Sequence, residues 1–363
     1  MILVVWDFSN IFYYAKISKW NRSWVFGQVS ALDYILEIKT SALLGYSLGG
    51  TSVTGAALDP YIQQAIDQIN FVIGDPAKSA PAALRASLGH PKPFNLRYVE
   101  IGNEDNIGNA PGTYQNRWNL IVTKLKATFP QLHWFQSNSF FYDSFPRDGT
   151  TYFEGEYAAI STNDKDVWSP VGRLTFPTVR SAVGEAAFMT GLERNADIVQ
   201  ICSGICPLVG ARFELPMVGV NISLNGQGNN KASFSSNTIH RSTSFYVQKL
   251  FSVNKGDEYL PSTLPVATGT LFWSVTRRIS TKEIIIKISN NAVTTADITF
   301  VLPTGVSAVN TARAEILTGP TGASNSPATP NIIVPYTITV PAGQTFNYTA
   351  PALSVSVLTV VVQ

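Results

Sequence analysis

Two stretches of the chain carry carboxylates where they could do chemistry. Leu96-Arg97-Tyr98-Val99-Glu100-Ile101 is an apolar run of strand character that ends in Gly102-Asn103-Glu104, and Thr151 to Ala158 repeats the plan with Glu156 near its end. A strand that ends in Asn-Glu delivers those side chains to the C-terminal rim, where parallel α/β folds build their sites. Two carboxyls sharing one rim are the equipment for cleaving a glycosidic bond. One protonates the leaving oxygen while the other attacks or activates water, about an oxocarbenium-like transition state. Asn103 beside Glu104 suits a hydrogen bond to a sugar 2-hydroxyl. Taken singly, each glutamate also reads as an ordinary solvated loop carboxylate, and the residues alone leave that choice open.

A rival lies upstream. Gly45-Tyr46-Ser47-Leu48-Gly49 matches the Gly-x-Ser-x-Gly nucleophile elbow, with Ser47 as nucleophile and His240 as a partner. The elbow needs a helix immediately after its serine, whereas Thr51-Ser52-Val53-Thr54-Gly55 is a poor first turn. A loop over the mouth of a barrel is the preferred reading. Metal chemistry has little to work with: the histidines are His90, His133 and His240, and the cysteines Cys202 and Cys206. The cysteine pair reads either as a short-loop disulfide or as two small buried thiols. No metal and no cofactor is expected.

At 363 residues the chain can bury a large core and divide into two domains. Charged residues make up 14% and the formal net charge is +2, with no Lys/Arg run to neutralise phosphates, so nucleic acid is not an expected partner. No apolar run approaches the roughly 20 residues that cross a bilayer, and a soluble protein is expected. Met1 to Asp7 is apolar but too short for a signal-peptide core. Sequons at Asn21, Asn221 and Asn347 nevertheless make those residues glycosylation candidates.

The elements that must position the carboxylates follow a βα rhythm. Residues 1–44 have no clear period, and incomplete structure is expected there. From N-cap Asp59 and first-turn Pro60, apolar residues at helical spacing run from Ile62 to Ile73, and a Pro/Ala/Ser loop follows. After the strand to Glu104 come a helix over Tyr114–Phe129 and a strand over Leu132–Gln136. Beyond Glu156 the spacing predicts a helix over Pro177–Arg194, a strand over Asp197–Cys202 and a helix over Ser242–Val253, while residues 209–240 keep no period. Past about Pro261, short alternating runs at 271–276, 283–289, 295–302, 332–340 and 353–362 predict an antiparallel β-sandwich. The expected architecture is α/β plus all-β: an incomplete (β/α)8 TIM-barrel-like catalytic domain over residues 1–258, then a β-sandwich over 259–363.

Four phrases carry a family resemblance: Arg97 to Asp105, Gly155-Glu156-Tyr157-Ala158, Glu185 to Asn195 and Ser244-Phe245-Tyr246-Val247-Gln248. Together they resemble fungal α-L-arabinofuranosidases of glycoside hydrolase family 51, over most of residues 45–208 and 241–363. The resemblance implies a retaining enzyme with Glu104 as general acid/base, Glu156 as nucleophile and Asn103 as substrate ligand, and it sets Glu100, Glu154 and Glu193 outside the catalytic pair. It also implies terminal α-L-arabinofuranosyl substrates on plant cell-wall polysaccharides such as arabinoxylan and arabinan, no cofactor, and an extracellular setting.

The same resemblance exposes departures. It puts the catalytic glutamates on barrel strands four and seven, which three βα units separate. Glu104 and Glu156 are only 52 positions apart, where three units would take about 90 residues. The gap falls between Trp134 and Phe140, and residues 205–240 also differ, with Ile205 and Cys206 standing where relatives have Tyr and Ala. The first strands, an N-terminal β-domain and a leader are expected to be missing. A barrel short of a strand has unpaired edges, so low or no turnover is expected of these residues alone. A serine hydrolase using Ser47, or a non-catalytic carbohydrate-binding remnant carried by the sandwich, are the alternatives.

Overall fold

The structure, a computed structural model, describes residues 3–5, 42–46, 53–102, 114–137, 152–157, 159, 161, 162, 165, 172, 174, 176–204, 212–214, 221–223, 241–262, 264, 269–326 and 328–363. The chain forms two compact units, Met1–Ser139 with Pro146–Gly155, and Phe140–Phe145 with Glu156–Gln363. The division passes through a single strand, between Gly155 and Glu156.

In chain order the described elements of the first unit are β1 (Leu3–Val5), β2 (Ala42–Tyr46), α1 (Asp59–Ile73), α2 (Ala80–Ser87), β3 (Leu96–Ile101), α3 (Tyr114–Thr128), β4 (His133–Ser137) and β5 (Tyr152–Tyr157), with helices between β2 and β3 and between β3 and β4. Each strand pairs in parallel with the next. Parallel neighbours in chain order with helices between them follow the βα-barrel plan. Among the described residues the sheet does not close on itself. Ile62, Ala65, Ile69 and Val72 of α1 pack with Leu96, Val99 and Ile101 of β3 and with Trp118, Ile121, Val122 and Leu125 of α3 in one core.

Two expectations need correction here. Asp59 is not the N-cap: a 3-10 turn, Gly55–Leu58, leads into α1, Leu58 takes the cap position, and Asp59 is the first helical residue. Burying Leu58 completely fixes that entry, and Asp59 still sits at the positive end of the helix, where it pairs with Lys124 of α3. The expected Pro/Ala/Ser loop contains α2. Ser79 caps it, accepting from the Ala82 amide at 3.5 Å, and a proline stands in its first turn. What holds it is Arg85, whose fully buried guanidinium donates to the carbonyls of Phe71 (2.7 Å), Gly74 (2.9 Å), His90 (3.0 Å) and Pro91 (3.3 Å). Two of these acceptors lie at the C-terminal end of α1, where helical carbonyls lack intrahelical donors.

The second unit continues from Glu156 with α4 (Val179–Arg194), β6 (Val199–Gly204), the antiparallel pair β7 (Arg212–Glu214) and β8 (Asn221–Ser223), and α5 (Thr243–Val253). Its β-sandwich follows. One sheet has the order β14-β13-β16-β11-β10-β9, from Tyr336–Pro341, Ala308–Thr318, Ser354–Val362, Glu283–Asn290, Leu271–Arg278 and Glu258–Tyr259. The other pairs β12 (Ala296–Val301) with β15 (Thr345–Ala350). The expected strand over 332–340 begins four residues late, at Tyr336, because Asn325 ties the preceding segment down instead. Its side chain accepts from the Ile333 amide at 2.8 Å and donates to the Ile333 carbonyl at 2.7 Å.

The six-stranded sheet is covered on both faces, and β11 shows how. Ile284, Ile286 and Ile288 enter the core between the sheets, while the alternate residues Ile285, Lys287 and Ser289 are fully buried on the other face. That face carries α4: Ser289 Oγ donates to the Val183 carbonyl at 2.7 Å, and Arg194 Nη1 donates to the Trp273 carbonyl at 2.7 Å. Lys287 Nζ forms an ion pair with Glu193 of α4 and lies 4.9 Å from the ring centre of Phe251 of α5. Ser274 Oγ donates to the second oxygen of Glu193 at 2.5 Å. Removing one partner from such a pair leaves an uncompensated buried charge, which costs about 3–5 kcal/mol. Glu193→Ala is therefore expected to lower unfolding free energy by that amount in urea titrations, and Glu193→Ala with Lys287→Met to recover most of it. A double variant no more stable than the single would show that charge is not what matters at this contact.

Candidate functional site

Glu156 is the fifth residue of β5, whose parallel register is fixed from below: Tyr98 pairs with His133, Ile101 with Gln136, and Gln136 with Tyr152. Only β4 lies between β3 and β5. Glu104 and Asn103 lie outside the described residues; β3 ends at Ile101, three positions before Glu104, and Gly102 has a φ of 108°, a left-handed conformation that favours glycine. Glu100 is buried within β3.

Ser47, Asn21 and Cys206 lie outside the described residues. Ser47 follows β2 directly in the chain; among the described residues after it, 53 and 54 are not helical and a 3-10 turn begins at Gly55. Asn221 opens β8 opposite Glu214, Cys202 stands within β6, and Asn347 is exposed in β15. Among the described residues, no group of three or more His, Cys, Asp or Glu could hold a metal ion, and no helix is long and apolar enough to cross a membrane.

The second unit holds a polar cluster that sequence reasoning missed. Gln248 of α5 donates through Nε2 to Glu185 Oε1 of α4 at 2.5 Å and to the Tyr157 hydroxyl of β5 at 2.8 Å. The Tyr157 ring packs on Phe188 of α4 with centroids 5.1 Å apart. Glu185 and Ser244 are both buried. Burial pushes the Glu185 carboxyl up to about 7, against hydrogen bonds from Ser244 and Gln248 that pull it down. A polar network at one end fixes how α4 and α5 start. Thr178 and Ser181 form a capping box on α4, Ser161 Oγ donates to Ser181 Oγ at 2.6 Å, and Thr243 Oγ1 of α5 donates to the Pro177 carbonyl at 2.8 Å.

The signal for this cluster was present in the sequence. Tyr157, Glu185, Ser244 and Gln248 all belong to phrases that carry the family resemblance, but phrases far apart in the chain do not announce that they touch. The cluster holds Tyr157, the last residue of β5, which follows Glu156 in the chain.

A parallel sheet with packed helices followed by an antiparallel sandwich makes this chain α/β plus all-β. The comparisons make the family specific. The family model described as "Alpha-L-arabinofuranosidase C-terminal domain" matches residues 155–354, and "Alpha-L-arabinofuranosidase 1 domain" matches residues 13–165. The chain belongs to the α-L-arabinofuranosidases of glycoside hydrolase family 51. A probable α-L-arabinofuranosidase A of Aspergillus terreus is 28% identical over 345 residues, covering 86% of this chain and 50% of the relative. An extracellular exo-α-L-arabinofuranosidase of Streptomyces chartreusis is 30% identical, over 61% of this chain and 28% of its own length. The solved structure of an arabinose-bound family 51 α-L-arabinofuranosidase, MgGH51, superposes with a TM-score of 0.73 at 48% identity, covering 92% of this chain and 56% of that one. The chain spans about half the length of the curated relatives it matches. Its fold is a TIM-barrel-type α/β half followed by a C-terminal β-sandwich.

The cluster carries a pH prediction. Glu185 binds its proton more tightly folded than unfolded, so the stability it contributes is fully present below about pH 4.5 and is lost as pH rises towards 7. The loss is at most about 3 kcal/mol. Glu185→Gln keeps an acceptor for Gln248 and has no charge to bury, so urea unfolding should find it level with the parent at pH 4.5 and more stable at pH 8. Parallel pH–stability curves for the two proteins would refute the assignment.

Proposed function

We propose that this chain is a retaining glycoside hydrolase acting on terminal non-reducing α-L-arabinofuranosyl residues of arabinose-containing plant cell-wall polysaccharides such as arabinoxylan and arabinan. Residues 1–258 form the catalytic portion and 259–363 the sandwich. Glu104 is the general acid/base, Glu156 the nucleophile, and Asn103 a ligand of the sugar 2-hydroxyl. The setting is extracellular, a reading supported by similarity to the extracellular exo-α-L-arabinofuranosidase of Streptomyces chartreusis.

The observation that carries this reading is the register of the parallel strands. Ile101 is level with Gln136, and Gln136 with Tyr152; Glu104 follows Ile101 by three residues and Glu156 follows Tyr152 by four. β3 and β5 are thus parallel strands two apart in one sheet, about 10 Å between axes, and in the chain Glu104 follows the first by three residues while Glu156 belongs to the second. A covalent glycosyl intermediate requires the two carboxyls to stand roughly 5–5.5 Å apart. In the first step Glu104 protonates the glycosidic oxygen as the Glu156 carboxylate attacks the anomeric carbon and the aglycone leaves. In the second, Glu104 takes a proton from water, which attacks the same carbon and frees Glu156, so two inversions give retention.

One intervening strand supplies less barrel than the resemblance calls for, so turnover by this chain alone is expected to be low or absent. Two measurements separate the site from the rate. An arabinofuranose-configured epoxide or aziridine, which traps a nucleophile covalently, should label Glu156 of the parent in peptide mapping and leave Glu156→Gln unlabelled. Any hydrolysis of a chromogenic α-L-arabinofuranoside should vanish in Glu156→Gln. Attachment at another residue, or unchanged turnover in the variant, would overturn the assignment.

A further inference from the structure

We propose that Asn347 is the acceptor of an N-linked glycan, added to the outer face of the β12–β15 ribbon. The inference rests on the secretory route put forward above. Asn347-Tyr348-Thr349 is one of three sequons, and the one whose side chains the structure describes.

β15 alternates cleanly. Phe346, Tyr348 and Ala350 are buried, and Thr345, Asn347 and Thr349 are exposed. The two residues that define the sequon therefore share one face. Antiparallel pairing sets Asn347 opposite Thr299 and Thr349 opposite Asp297. Thr299 Oγ1 donates to Asn347 Oδ1 at 2.8 Å, and Thr349 Oγ1 donates to Asp297 Oδ1 at 2.6 Å. The amide oxygen is thus held from the neighbouring strand, while among the described residues no hydrogen bond engages Nδ2, the atom that takes the sugar. The facing residues of β12, Asp297, Thr299 and Val301, are all exposed, so this face of the ribbon is open to solvent.

The transfer is balanced by a lipid-pyrophosphate-linked oligosaccharide. Nδ2 forms a bond to C1 of its first sugar, the bond from C1 to the phosphate oxygen breaks, the lipid pyrophosphate leaves, and Nδ2 gives up one proton. The product covers a ribbon face on which Val301 is 71% exposed with a bulky polar group. A competing explanation is that Asn347 and Thr349 serve only as cross-strand hydrogen-bonding pairs, each worth about 0.2–1 kcal/mol. That explanation predicts no added mass.

The test is expression of the full chain behind a cleavable secretory leader in yeast. The leader imposes the route, so the result reports on the site and not on whether the native protein is exported. Removing glycans with a peptide amidase should convert Asn347 to aspartate in peptide mass spectra. Asn347→Gln and Thr349→Ala should each lower the mass of the exported protein by one glycan, and Thr349→Ser should retain it. Exported chains with Asn347 unmodified would overturn the proposal.

Discussion

A lysine inside a β-sheet is the constraint from which the second unit is built. Lys287 has no exposed side-chain surface, and an ammonium taken from water needs a counter-charge and donors' partners close by. Glu193 supplies the charge, the Phe251 ring supplies its electron-rich face, and both come from helices laid across the sheet. Sliding α4 by a turn would break this pair together with the bonds from Ser289 to the Val183 carbonyl and from Arg194 to the Trp273 carbonyl. Side-chain packing alone tolerates small slips. Three directional contacts along one helix do not, and α4 becomes a fixed reference for whatever else it touches.

One thing it touches is β5, at Tyr157. Glu185 stands eight residues before Glu193 on the same helix, and through Gln248 it reaches the Tyr157 hydroxyl. The strand that carries the proposed nucleophile is thereby braced to two helices, one of which is locked to the sandwich. Three phrases scattered over the sequence, Gly155 to Ala158, Glu185 to Asn195 and Ser244 to Gln248, thus meet in one polar network. A buried network of this kind works as a unit, since leaving any member unpaired costs the full desolvation of that group.

The parts of the fold legible in the sequence were those with a strong period. α1 and α3 show apolar residues at helical spacing, and β10, β11 and β16 alternate or run apolar, so their existence and approximate limits followed directly. α2 did not, because Arg85 and not an apolar stripe fastens it, and a lone arginine in a Pro/Ala stretch carries no period. The cap of α1 went to Leu58 because a 3-10 turn is set by burial that local spacing does not express. Glu156 was legible as a strand-end residue since a strand tip needs only local pattern. The Glu185 cluster was not, because contacts across 63 and 91 positions, from Gln248 to Glu185 and Tyr157, are properties of packing.

The sandwich deserves to be understood through the same packing. Composition changes near residue 258, yet the compact unit extends back to Glu156, and the reason lies in the sheet face turned towards α4. Ile285, Lys287, Ser289, Val355 and Val357 are buried on it to 1% exposure or less, and stripped of α4 and α5 they would present an apolar surface with an unpaired ammonium at its centre. A free-standing carbohydrate module would need that face polar. It would also need aromatic rings on its surface to stack on sugars, whereas Phe346 and Tyr348 point into the core and, among the described residues after 258, Tyr336 is the single exposed large aromatic. Within the second unit the sandwich therefore carries α4: its buried lysine pairs with Glu193, and Glu185 on the same helix reaches Tyr157 through Gln248.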